Sequence, residues 1–256
     1  MPLRTIRKSR PDAPPGFFEA EAAGLRWLAE ARGARVAGVV DVQPTAIVLE
    51  RIDQVRPAPE AARRFGRDLA RTHAAGASSF GAPPDGYSGQ LFIGRRPMPS
   101  AGEPRWGRFY ARDRVLPFLP LARRAGFLDA RQEARVERAC EVIADGAFDD
   151  AEPPARIHGD LWTGNVLWAA EGAVLIDPAA HGGHRETDLA MLALFGCPHL
   201  EEVVTGYEQE APLRAGWRDR IPLHQLHPLA VHAAGHGSSY GAALFRAAGE
   251  VLKLAA

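Results

Sequence analysis

The stretch that most constrains this chain is His158-Gly159-Asp160-Leu161-Trp162-Thr163-Gly164-Asn165, followed by Ile176-Asp177-Pro178. It supplies two carboxylates and a carboxamide in the pattern that kinase-type phosphoryl transfer uses. Asp160 is the acid placed to accept the proton of an attacking hydroxyl. Asn165 and Asp177 offer hard oxygen ligands of the kind that hold magnesium jointly with substrate phosphates. An Asp can also merely cap a turn after a strand, but the Asn and the second Asp at this spacing leave that reading little room. In a loose, metaphosphate-like transition state, positioning and charge neutralisation dominate, so Asp160 needs no strongly raised pKa. His158 reads as a brace for the loop. Trp162 has two open readings: a stacking surface for a sugar or amine-bearing substrate, or ordinary core packing.

Composition narrows the class. The 256 residues are 46% hydrophobic and 24% charged, with formal net charge zero. That length can bury a substantial core, and the balanced charge gives no nucleic-acid footprint. Cys140 and Cys197 stand far apart, outside any C-x-x-C pattern, which fits a reducing cytoplasm and no disulfide framework. The basic N-terminus is interrupted by Pro11, Pro14 and Pro15 and does not read as a signal peptide. No apolar run has membrane-spanning length. Nearly every basic residue is Arg; the only lysines are Lys8 and Lys253. A compact ammonium at Lys8 is not interchangeable with a guanidinium fork.

Along the chain, residues 3–8 alternate as a short strand, and residues 17–31 place Phe18, Ala22, Leu25 and Leu28 at helical spacing. Residues 35–42 and 45–50 are β-rich and separated by Gln43-Pro44. Pro57 and Pro59 mark an exit, and a helix is predicted over 59–75. Residues 76–104, rich in Gly, Pro and Ser, read as an extended surface loop. From Trp106 onward the pattern is mainly helical, with a strand interlude over 156–177; Pro222 and Pro228 bound or kink a late helix. The arginines of 63–71 and 105–124 read as solvated helix faces. His224, His227, His232 and His236 invite a zinc reading. Pro228 breaks their register and no carboxylate stands near in sequence, so polar helix packing near an acceptor site is the preferred reading.

These segments together resemble the fructosamine (ketosamine) kinase family, within the aminoglycoside-phosphotransferase and protein-kinase-like fold. FEAEAAGLRWL (18–28), IHGDLWTGN (157–165), LIDPAAHGGHRETDLAML (175–192) and PLRAGWRDRIPLHQLHPL (212–229) carry the likeness. The resemblance implies an α+β, two-lobed fold: a small β-sheet N-lobe with one helix (1–55) and a larger, mainly helical C-lobe (56–256). It implies that Lys8 contacts nucleotide phosphates and that Glu21 pairs with it. It places Glu50, Arg51 and Ile52 at the adenine-side hinge. It also makes Asp160 the base, Asn165 and Asp177 the metal ligands, and Asp188 a support beneath the catalytic loop.

The implied activity is ATP- and Mg2+-dependent phosphorylation of a sugar hydroxyl on a small-molecule ketosamine by a cytoplasmic enzyme, with no nucleic-acid or membrane partner and the oligomeric state open. Two rivals stand beside it: a kinase of another small hydroxyl acceptor, aminoglycoside or choline-like, and a catalytically impaired binding protein. The second arises from a departure. In the family, two strands and a glycine-containing loop precede the lysine strand, whereas Lys8 stands close to Met1. The expectation is therefore an N-lobe lacking both strands and the Gly-rich loop, with an exposed edge on the Lys8 strand. Thr163 for a commoner Ser, and the Ser88-Gly89 to Ile93-Gly94 segment, are smaller departures.

Overall fold

A computed structural model describes residues 4–256 of the chain; Leu3, where the sequence pattern starts the first strand, lies outside the described residues. The chain opens with β1 (Thr5–Ser9), α1 (Phe17–Glu30), β2 (Arg35–Val36), β3 (Val39–Gln43) and β4 (Ala46–Glu50). The first sheet runs in the order β1-β4-β3, with Lys8 opposite Ile47 on the central strand. The apolar stripe of α1 is buried as its spacing requires, with Phe18, Ala22, Leu25 and Leu28 at most 2% exposed.

The expected single strand over 35–42 is two strands in different sheets. Ala37 N–H donates to Leu175 O at 3.0 Å, whereas Glu50 N–H donates to Gly38 O at 2.8 Å. The chain therefore changes hydrogen-bond partners between Ala37 and Gly38. Local β-propensity continues across that point, so the sequence carries no mark of the switch.

Next come α2 (Pro59–Ala74), β5 (Leu91–Ile93), β6 (Arg96–Met98) and α3 (Trp106–Phe109). Pro59 stands in the first turn of α2, where its missing N–H has no partner to lose. The expectation of a surface loop over 76–104 is corrected: β5 and β6 form an antiparallel hairpin, and Leu91, Ile93 and Met98 are buried in the core. Gly, Pro and Ser do mark the turns there; the intervening apolar residues decide the burial.

A π-helical turn (Tyr110–Val115) and a 3-10 turn (Leu116–Phe118) lead into α4 (Leu119–Arg124) and α5 (Ala130–Ala144). The π turn carries Arg114 into the interior, 1% exposed, so the arginines of 105–124 are not all solvated. Asp129 and Gln132 close a reciprocal capping box at the start of α5.

The strand interlude comprises β7 (Ala155–Ile157), β8 (Val166–Ala169), β9 (Gly172–Leu175) and β10 (His181–Gly183), the last beyond the expected limit. β2 pairs in parallel with β9, and β7 pairs with β10. The chain ends with α6 (Arg185–Phe195), α7 (Leu200–Glu210), α8 (Ile221–His224), α9 (Leu226–Ala233) and α10 (Ser238–Leu254). Pro222 and Pro228 fall within the first three residues of α8 and α9, where they start helices instead of kinking one.

Helices α2 and α7 touch backbone to backbone. A Cβ on Gly66 would lie 1.9 Å from Val203 O, and one on Gly206 1.8 Å from Arg63 O. Arg63 reaches Glu202 at 2.8 Å and Arg71 reaches Glu210 at 3.0 Å, so these arginines stitch two helices together. One apolar cluster joins α1 and β4 to α2, β8, β9, α6 and α7; a second fills the space among the hairpin, α3 to α5, α9 and α10.

Candidate active site

Lys8 projects from β1 into a cleft of about 430 Å³ whose lining includes Glu21, Asp160, Trp162, Asn165 and Asp177. Its Nζ donates to Glu21 Oε1 at 2.8 Å and to Asp177 Oδ1 at 2.6 Å, joining β1, α1 and the segment after β9. Burial opposes the ammonium charge, but the two carboxylates outweigh it and push the Lys8 pKa up. Asp177 is held at φ 54, a left-handed conformation uncommon outside glycine.

The loop between β7 and β8 is organised by two buried side chains. His158 Nε2 donates to Ile176 O at 2.9 Å, and its Nδ1 accepts Asp160 N–H at 3.2 Å. That pair of contacts requires a neutral ring with one tautomer, and burial lowers its pKa accordingly. The imidazole thereby ties Asp160 to the strand end that carries Asp177. Asp188, 0% exposed, accepts His158 N–H at 2.8 Å and Gly159 N–H at 3.0 Å. Burial alone would raise its pKa, but hydrogen bonds from His73 and the His158 amide keep the carboxyl below its ordinary range. Gly159 sits at φ +78, and a Cβ there would lie 2.3 Å from Ala179 O, so this position requires glycine.

Asn165 Nδ2 donates to Asp160 O at 2.8 Å and to Asp160 Oδ2 at 3.3 Å. With its nitrogen so engaged, the Asn165 side chain has Oδ1 left as a hard donor beside Asp177. Burial pushes the Asp160 carboxyl up to about 7; the Asn165 hydrogen bond opposes this and the charges of Asp177 and Asp188 add to it. The shift exceeds what the sequence reading asked for, because the carboxyl is enclosed by the loop and two further acids.

A profile of the family described as fructosamine kinase matches residues 7–253. The chain belongs to the fructosamine kinase family. Membership makes it a phosphotransferase with an alcohol group as acceptor. A probable ketoamine kinase of Thermus thermophilus is 36% identical over 246 residues, covering 95% of this chain and 86% of that protein. A crystal structure from Thermobifida fusca, of a protein provisionally named fructosamine-3-kinase, superposes with a TM-score of 0.91. Its identity is 47%, with 98% of this chain and 86% of that one covered. A macrolide 2'-phosphotransferase type I shares the fold alone, at TM-score 0.57 and 16% identity over 95% of this chain and 83% of that one. The two-lobed kinase-like architecture is thus that of the family.

Trp162 is 39% exposed, with its ring edge-on to Phe195 at 6.3 Å, so core packing is not its role. Glu50 ends β4, Arg51 and Ile52 follow it, and none of the three lines the cleft with Lys8. The Glu50 side chain pairs with Arg35, Arg51 N–H donates to Arg4 O at 2.9 Å, and Ile52 packs in a cluster with Ile176. His73, which the sequence reading missed, faces Asp188 Oδ2 through Nε2 at 3.1 Å and Tyr207 Oη through Nδ1 at 2.8 Å. Its only sequence signal is a polar residue on the buried side of α2.

The histidine cluster needs one correction. Glu186 does stand beside His224, and His184, Glu186 and His224 offer ligand atoms within 4.8 Å of one another. Every one of those atoms is already engaged. Arg220 grips Glu186 at 2.6 and 2.9 Å, Thr187 Oγ1 meets His224 Nδ1 at 3.0 Å, and His184 lies between the Glu186 amide and Asp150. This is polar packing around a buried ion pair.

Proposed function

We propose that this protein transfers the γ-phosphoryl group of ATP to a sugar hydroxyl of a small-molecule ketosamine, in the cytoplasm. The observation that carries the reading is the convergence of Lys8, Glu21, Asp160, Asn165 and Asp177 on one cleft. Residues 1–55 form the nucleotide side, with Glu50, Arg51 and Ile52 toward adenine, and residues 56–256 form the acceptor side. The ketosamine assignment leans on the family and on the ketoamine kinase name of the Thermus thermophilus relative.

Asp160 orients the acceptor hydroxyl and takes its proton. A carboxylate made more basic by burial is a better acceptor for a proton released late in transfer. Asn165 and Asp177 are the magnesium ligands; their carboxamide and carboxylate oxygens suit a hard cation, which supplies charge neutralisation on the phosphates when bound. Lys8 contacts the nucleotide phosphates and is kept extended by Glu21. His158 and Asp188 act by fixing the loop, and exposed Trp162 offers an indole face to the acceptor.

The deciding experiment measures phosphoryl transfer from MgATP to fructosamine and ribulosamine derivatives, an aminoglycoside and choline. Turnover on a ketosamine is expected, with Asp160→Asn reducing kcat at least about 100-fold. Turnover on the aminoglycoside or choline alone would overturn the acceptor assignment. Undiminished turnover in Asp160→Asn would remove the base.

A further inference from the structure

The cleft holds a second cation that neither the motif nor the ion pairs around Lys8 account for. Arg10 continues the β1 ladder one residue beyond its end, its N–H donating to Thr45 O at 2.8 Å. Side chains two residues apart on a strand share a face. Lys8 and Arg10 accordingly line the same cleft as Asp160, Asn165 and Asp177.

The two cations differ in occupancy. Lys8 is held between two carboxylates. The Arg10 guanidinium lies over the Phe17 ring, 4.9 Å from its centroid, and Phe17 is itself packed edge-on against Phe18 and Phe92. Its Nη1 is shielded from solvent and has no hydrogen-bond partner among the described residues. Asp12, the acid of the same loop, pairs with Arg95 instead. A shielded guanidinium donor without a hydrogen-bond partner calls for an acceptor. Without Arg10, Lys8 would be the one cation of the lining facing the acids Glu21, Asp160 and Asp177.

We propose that Arg10 is a phosphate-binding residue of this site, donating to the terminal phosphoryl oxygens of the nucleoside triphosphate. The proposal rests on the phosphoryl-transfer reading above. A planar fork suits these tetrahedral oxygens, and Phe17 fixes its plane before the nucleotide arrives.

Calorimetric titration of MgATP and of AMP into the wild-type protein, Arg10→Gln and Arg10→Lys, with no acceptor present, tests it. Arg10→Gln is expected to weaken MgATP roughly 10- to 100-fold and to leave AMP within twofold. Arg10→Lys, which keeps the charge and loses the fork, is expected to fall between. Unchanged MgATP affinity in Arg10→Gln overturns the proposal, as does an equal loss for AMP and MgATP, which would make Arg10 a pocket-shaping residue only. If the wild-type protein itself binds no MgATP, the kinase reading fails first, and Arg10 with it.

Discussion

At the residue scale, the site depends on side chains that hold backbone in place. Asp188 accepts two successive loop amides, His158 joins Asp160 to Ile176, and Gly159 allows the turn between them. Gly159→Ala must place a Cβ 2.3 Å from Ala179 O at φ +78. We expect a loss of at least about 2 kcal/mol in urea unfolding, together with a fall in kcat larger than any change in KM for ATP. A variant that unfolds at the wild-type midpoint would show that the loop is not held as described. Asp160 and Asn165 were legible in the sequence because their spacing is covalent. His73 was not, because its relation to Asp188 spans 115 positions and exists only after α2 packs.

At the element scale, the α2–α7 contact depends on two glycines that let backbones approach. Gly206→Ala sets a methyl group 1.8 Å from Arg63 O, a carbonyl that an intact helix cannot move aside. A destabilisation of about 3 kcal/mol is expected in urea titration, against less than about 0.5 kcal/mol for the exposed Glu208→Ala control. Equal midpoints for the two variants would contradict the close crossing. The sequence showed α1 and α2 through apolar period and proline position. It did not show the β5–β6 hairpin, because three-residue strands are too short to display a period.

For the whole molecule, acid stability follows from imidazoles buried neutral. Burial, opposed in part by Glu186, lowers the His224 pKa from 6.5 to about 4, and burial with the Arg114 charge lowers that of His227 to about 3. The unfolded chain therefore binds more protons than the folded one below pH 6.5. Stability is full above that pH and declines as pH falls toward 4, by up to roughly 1.4 kcal/mol per pH unit for each ring. Glu186, held below its ordinary 4.5 by His224 and Arg220 against the pull of burial, adds a further loss below about pH 4.5. Urea midpoints at pH 7, 6 and 5 should fall in that order, and His224→Gln should have the shallower slope. A flat profile would mean that these rings are protonated in the folded state.

The sequence by itself singled out the candidate site residues, through motif spacing and family resemblance, and the helical segments, through apolar period, because these are patterns written along the chain. It carried Lys8, Glu21, Asp160, Asn165 and Asp177 as separate positions. Only the tertiary structure decided that they share one cleft, that Trp162 stands exposed, that Glu50 to Ile52 stay off the Lys8 lining, and that Glu186 closes the histidine cluster. The physical reason is that burial, and with it pairing and pKa, depends on which distant surfaces exclude water together, and no local pattern encodes that.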